Sequence, residues 1–136
     1  MISFGQYALQ GAIVSKSEFI SNEDKKPEDL KVMVNCALAE ARHFSNLFKI
    51  KVNIQMQKVS LADKESLLWF FDMPEQISKS VKKQLFINII VGDKIVGLSS
   101  SQFENQKFGE VRDFLTDTIA TLKKIDDKEK IKNPCK

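Results

Sequence analysis

One short run limits what this chain can fold into. From Ser66 to Met73 it reads Ser-Leu-Leu-Trp-Phe-Phe-Asp-Met, with Leu67, Leu68, Trp69, Phe70 and Phe71 in succession. As a strand, this run points large apolar groups to both faces of a sheet. Such a strand belongs in the middle of the sheet or under cover on both sides. Neighbouring segments supply the rest of the sheet. Phe48, Ile50, Val52, Ile54 and Met56 alternate with Lys49, Lys51, Asn53, Gln55 and Gln57, which predicts a strand over 48–57 with one apolar and one wet face. Val81 to Val91 predicts a third strand, with Leu85, Ile87, Ile89 and Val91 on one face. Gly92-Asp93 then turns it into a fourth, Lys94 to Ser101, and a leading Gly suits a tight type II′ hairpin.

Elsewhere the period changes to that of a helix. After a polar loop at 22–26, Pro27 fits a first turn with Glu28 and Asp29 at its positive end. Leu30, Val34, Ala37, Leu38, Ala41 and Phe44 then recur at helical spacing, for a helix of about 18 residues. Phe108, Val111, Phe114, Leu115, Ile119 and Leu122 form the stripe of a second helix. Residues 2–21 read as one or two short strands, with Gly5 or Gly11 marking a bulge or bend. The expectation is an α+β fold: an antiparallel sheet of five to six strands, largely a meander, packed with two amphipathic helices that together can cover one face.

Charge divides the chain. Its 21 Lys+Arg and 18 Asp+Glu give a net charge of +3, and residues 123–136 hold six lysines against Asp126, Asp127 and Glu129. The body is therefore balanced, which points to a single domain over 1–124 and a charged, disordered tail over 125–136. Only Arg42 and Arg112 supply the planar fork that phosphates and guanines favour. The wet row Lys49, Lys51, Asn53, Gln55, Gln57, Lys58 lacks interleaved aromatics for base stacking, so nucleic acid is not the expected partner. The start shows no secretory pattern and no stretch approaches a membrane span, so the expectation is a cytoplasmic protein without a membrane partner.

Chemistry-bearing patterns are sparse. Cys36 and His43 share a helical face but stand about two turns, roughly 10 Å, apart, too far for a nucleophile and base. Glu40 and His43 have the i, i+3 spacing of some metal sites, yet no second His exists to complete one. Neither a nucleophile elbow nor a phosphate loop is present. Glu65 with Asp72, or Asp113 with Asp117, pair as acid and base only on paper, since Asp113 and Asp117 belong to a wet helix face. The expectation is a protein without catalytic residues, metal or cofactor that binds another protein. Trp69, Phe70, Phe71, Phe86, Ile90 and Phe103 are the candidate contact residues, because helices on one face would leave the other for a second chain.

The order of segments also resembles a known family. Lys26-Pro-Glu-Asp-Leu30 and Ala39-Glu-Ala-Arg-His-Phe44 in the first helix, the alternating strand and Leu67-Leu-Trp-Phe-Phe71 follow one another in its order. Gln84 to Ser101 and the closing Phe108…Phe114-Leu-Thr-Asp-Thr-Ile-Ala-Thr-Leu122 complete the pattern. Over about residues 18–124 these resemble the PsbP/DcrB-like α/β/α sandwich, and within it the small cytoplasmic Eag chaperones that accompany type VI secretion effectors. The resemblance implies a non-enzymatic, chaperone-like domain, often a homodimer, whose sheet surface holds an apolar segment of a client effector. The alternative reading is an immunity protein that binds and neutralises one toxin.

Overall fold

The computed structural model describes residues 2–4, 7–19, 28–61 and 64–128. Among them, six strands form one antiparallel sheet: β1 (Ile2–Phe4), β2 (Tyr7–Ser15), β3 (Gln55–Leu61), β4 (Lys64–Asp72), β5 (Val81–Val91) and β6 (Lys94–Phe103). Helix α1 (Asp29–Phe48) follows a 3-10 turn at Lys16–Phe19, and α2 (Phe108–Lys128) ends the described chain. The spatial order is β1-β2-β6-β5-β4-β3. The fold is α+β, with a meander from β3 to β6, as the periodicities predict. Its one long-range joint is between β2 and β6. α1 carries the chain from β2 to the far edge of the sheet, and the meander walks back until Leu9–Ser15 pair with Ser100–Lys94.

Alternation along β4 and β5 builds two cores. Leu67, Trp69, Phe71, Ile90 and Ile95 pack with Val32, Met33, Cys36 and Ala37 of α1. Leu68, Phe70, Leu85, Ile87, Ile89 and Leu98 pack with Val111, Leu115 and Ile119 of α2. The helices therefore take opposite faces, which corrects the expectation that both cover one. The physical reason lies in β4 itself. Two helices on one side would leave either the Trp69 row or the Phe70 row in water, at about 25 cal/mol for each Å² of apolar surface. This placement also corrects the contact surface expected of the aromatic strand. Trp69, Phe70, Phe71 and Ile90 are buried beneath the protein's own helices.

The strand expected over 48–57 is the second correction. α1 continues to Phe48, and Lys49 ends it in the left-handed region with φ 58°. Residues 51–54 run without a ladder, and β3 begins at Gln55, opposite Phe70 of β4. Val52 and Ile54 still alternate inward beside Met56, because they pack on the α1 side of the core. The Ser45 hydroxyl accepts the Val52 N–H at 2.8 Å and pins this segment to the helix. The apolar row is half-buried and the polar row exposed, and a packed extended segment produces that alternation as well as a strand does.

Glycine positions separate cleanly. Gly92 has φ 61° and Asp93 does not share the positive sign, the pattern of a type II′ rather than a type I′ turn. Gly11 sits in regular register opposite Leu98, so it marks no bulge. α2 runs on to Lys128. Gly5, the loop expected at 22–26, Pro27, residues 62–63 and residues 129–136 lie outside the described residues.

Two substitutions test this account. Gly92→Ala should cost about 1 kcal/mol in urea unfolding, because a Cβ is strained at that φ. Gly11→Ala should be neutral or stabilising by up to about 1 kcal/mol, since its Cβ would meet Leu98 Cδ2 at an ordinary 3.5 Å.

Candidate binding cleft

A helix is about 10 Å wide and strands lie about 4.8 Å apart, so one helix covers roughly two strands. α1 lies over β4 and β5, and α2 over β5 and β6 of the other face. On the α1 side, β6 and β2 are left without a helix above them. The result is an open cleft beside α1 with a mostly apolar lining; the whole space, about 870 Å³, extends to Thr118 of α2 and to Leu9, Gly11 and Leu98, which face the other side of the sheet.

Its floor is built from small residues. Pairing places Ala12 against Gly97 and Gln10 against Ser99 on the α1 face, with Val14 and Ile95 at one end. Its wall is aromatic. Trp69 and Phe86 stack across β4 and β5 with centroids 3.9 Å apart and planes 8° from parallel. Phe44 of α1 closes over them, 5.7 Å from Phe86 and 5.4 Å from Phe71. The buried indole Nε1–H of Trp69 donates to Asn88 Oδ1 at 2.9 Å, which fixes the amide with Nδ2 towards Gly97. A Cβ at Gly97 would approach that nitrogen to 3.3 Å. Glycine here keeps the floor low and leaves Asn88 its place.

The α1 rim carries the charge. Cys36, Glu40, His43 and Leu47 recur at i, i+4, i+7 and i+11 and so form one stripe. Cys36 is buried and Glu40 half-buried at the cleft, and Leu47 is 63% exposed further along. Burial, with the carboxylates of Glu40 and Glu18 adding to it, pushes the Cys36 thiol from 9.0 up to about 11. The thiol is protonated at neutral pH and is no nucleophile there.

The other sequence candidates are spread apart. Phe86 is half-buried at the cleft wall. Phe70 belongs to the opposite core, edge-on to Phe108 at 4.8 Å. Phe103 is half-buried at the end of β6, where its N–H donates to Gln106 Oε1 at 2.9 Å. Glu65 pairs with Lys58 at 2.9 Å, Asp72 with Lys83, and Asp113 with its neighbour Arg112 at 3.1 Å. His43 is exposed, its ring edge-on to Phe44. Among the described residues no three His, Cys, Asp or Glu side chains converge as a metal site would need, and no helix is long and apolar enough to cross a membrane. Sequence reasoning missed the cleft floor. The signal for it was the small-residue row Gly97, Ser99 and Ser101 on one face of β6, where a covered strand would carry larger groups.

Comparison with protein-family models, with curated proteins and with solved structures gives no match to this chain.

Two measurements check the site. Asn88→Leu should cost about 1–3 kcal/mol by leaving a buried indole N–H unpaired, and adding Trp69→Phe should restore part of that loss in a double-mutant cycle. The raised thiol gives a signed pH dependence. Its contribution is complete below pH 9 and is lost as pH rises towards about 11. Urea stability of the wild type should therefore fall more steeply over that window than that of Cys36→Ala.

Proposed function

We propose that this chain is a non-enzymatic, cytoplasmic binding protein that holds an apolar segment of another protein in the cleft beside α1. The observation that carries the reading is the vacant place on the α1 face. α1 covers β4 and β5 and leaves the β6 and β2 strips of that face without a helix, and the space above them is walled by Phe44, Trp69 and Phe86. The lining is mostly apolar, with a few polar groups such as Asn88 and Glu40. The protonated thiol and the surface ion pairs of Glu65, Asp72 and Asp113 fit a binding role better than a catalytic one. The resemblance to effector chaperones supplies the physiological role, escort of a client. Under the immunity reading the same cleft would seat part of a toxin.

Filling the cleft tests this. Ala12 is exposed on the floor, so Ala12→Trp adds bulk there without disturbing either core. Co-purification of a candidate effector or toxin produced together with this chain should succeed with the wild type and with Thr121→Trp on the exposed side of α2, and fail with Ala12→Trp. Equal recovery by Ala12→Trp would place binding elsewhere. An activity assay of the recovered partner separates the roles, because an immunity protein silences a toxin and an escort leaves its client active on release.

A further inference from the structure

Resting on the reading that this chain binds another protein, we propose that the outer edge of β2, over residues 10–15, takes one extended stretch of that partner as a seventh strand. The stretch carries a large apolar side chain opposite Gly11.

The phase of the hydrogen bonds singles out the free groups. β1 pairs only with Tyr7–Leu9, so the rest of β2 has no strand on its outer side among the described residues. The Lys16 N–H donates to the Asp93 carbonyl at 2.8 Å, one step beyond the Ser15–Lys94 pair. In an antiparallel ladder every second residue bonds to the same neighbour, so Val14, Ala12 and Gln10 also face β6. The N–H and C=O of Gly11 and Ile13, and the N–H of Ser15, therefore point outward. Side chains do not defend this edge. From Tyr7 to Ser15 there is no charged residue and no proline, two devices that keep strand edges from pairing. The opposite edge strand, β3, carries Lys58.

The faces of β2 define the occupant. Gly11 and Ile13 lie on the α2 face, beside Leu98 and Val96 of β6. Leu98 belongs to the α2 core and Val96 packs against it. Gly11 is exposed and bare. A large apolar or aromatic residue opposite it lies over the glycine and reaches Leu98, extending that core by one strand. A second copy of this chain fits less well. Its own edge brings β1 at one end and the Lys16–Phe19 turn at the other. With Ile13 opposite its symmetry mate, Ser17 of one copy falls opposite Leu9 of the other, where Ile2 already pairs. A partner's linear stretch has no such flanking elements.

The probe is a capped, labelled nine-residue peptide, Val and Thr alternating around a central Phe. Its control carries proline on both sides of the Phe. By fluorescence anisotropy the wild type should bind the Phe peptide and not the control. Gly11→Pro and Ile13→Pro each remove an outward N–H and leave the β6 ladder intact, and should weaken binding about tenfold. Circular dichroism confirms that both are folded. By NMR hydrogen exchange the amides of Gly11, Ile13 and Ser15 should be fast in the chain alone and slowed about tenfold or more by the peptide, while those of Gln10, Ala12 and Val14 are slow throughout. No binding of the Phe peptide, equal binding by the proline peptide or the proline variants, or binding that leaves those three amides fast would each overturn the inference. Slow exchange of the three in the chain alone would overturn it too, and a dimer in sedimentation that Ile13→Pro dissolves would assign the edge to a second copy. The cleft is judged separately. A co-produced effector or toxin lost with Ala12→Trp but kept with Ile13→Pro leaves the cleft reading standing and overturns the edge; the reverse pattern overturns the cleft and supports the edge.

Discussion

Burial of β4 and β5 on both faces is the constraint on which the rest of this structure depends. Trp69 and Phe71 look one way, Leu68 and Phe70 the other, and neither row can be left in water. One helix must therefore lie on each side, and the chain reaches that arrangement by sending α1 over one face and α2 under the other. Fully burying such side chains contributes roughly 1.5–3 kcal/mol apiece, so the central pair outweighs any of the surface ion pairs. Those pairs, Lys16 with Asp29 and Lys58 with Glu65 among them, contribute little individually.

The same constraint explains the cleft. Two helices cannot cover six strands on two faces, and the strips left over must be made tolerable in water. On the α1 side this is done by small and polar residues at Ala12, Gly97, Ser99 and Gln10. Asn88, at the boundary, serves both regions. Its carbonyl satisfies the buried indole of Trp69, and its amide lies over Gly97 at the open floor.

Much of the fold was legible because period and turn chemistry are local. The Val81–Val91 strand, the Gly92-Asp93 hairpin and the Phe108 stripe of α2 were read from neighbouring residues alone, and the doubly apolar run marked β4 as central. What was not legible depends on distant parts of the chain. Whether Phe48–Ile54 forms a ladder depends on how far β4 extends opposite it. Whether Trp69 to Phe71 is core or contact surface depends on which faces two remote helices choose. The cleft was hidden for the same reason: Ala12 and Gly97 form one floor only through the β2–β6 pairing, 85 positions apart in sequence.

That pairing also orders events during synthesis. β2 is made before its ladder partner β6, the last of the six strands, so one edge of the first hairpin stays unsatisfied while α1 and β3 to β5 are made. Local elements form sooner than contacts between distant segments, because those must first overcome loop-closure entropy. The β3–β6 meander can assemble by short steps, and closing it against β2 completes the sheet. An unpaired edge held open for that long is a site for mispairing between nascent chains. Because β1 pairs only with Tyr7–Leu9, residues 10–15 of β2 have no ladder on either side until β6 arrives.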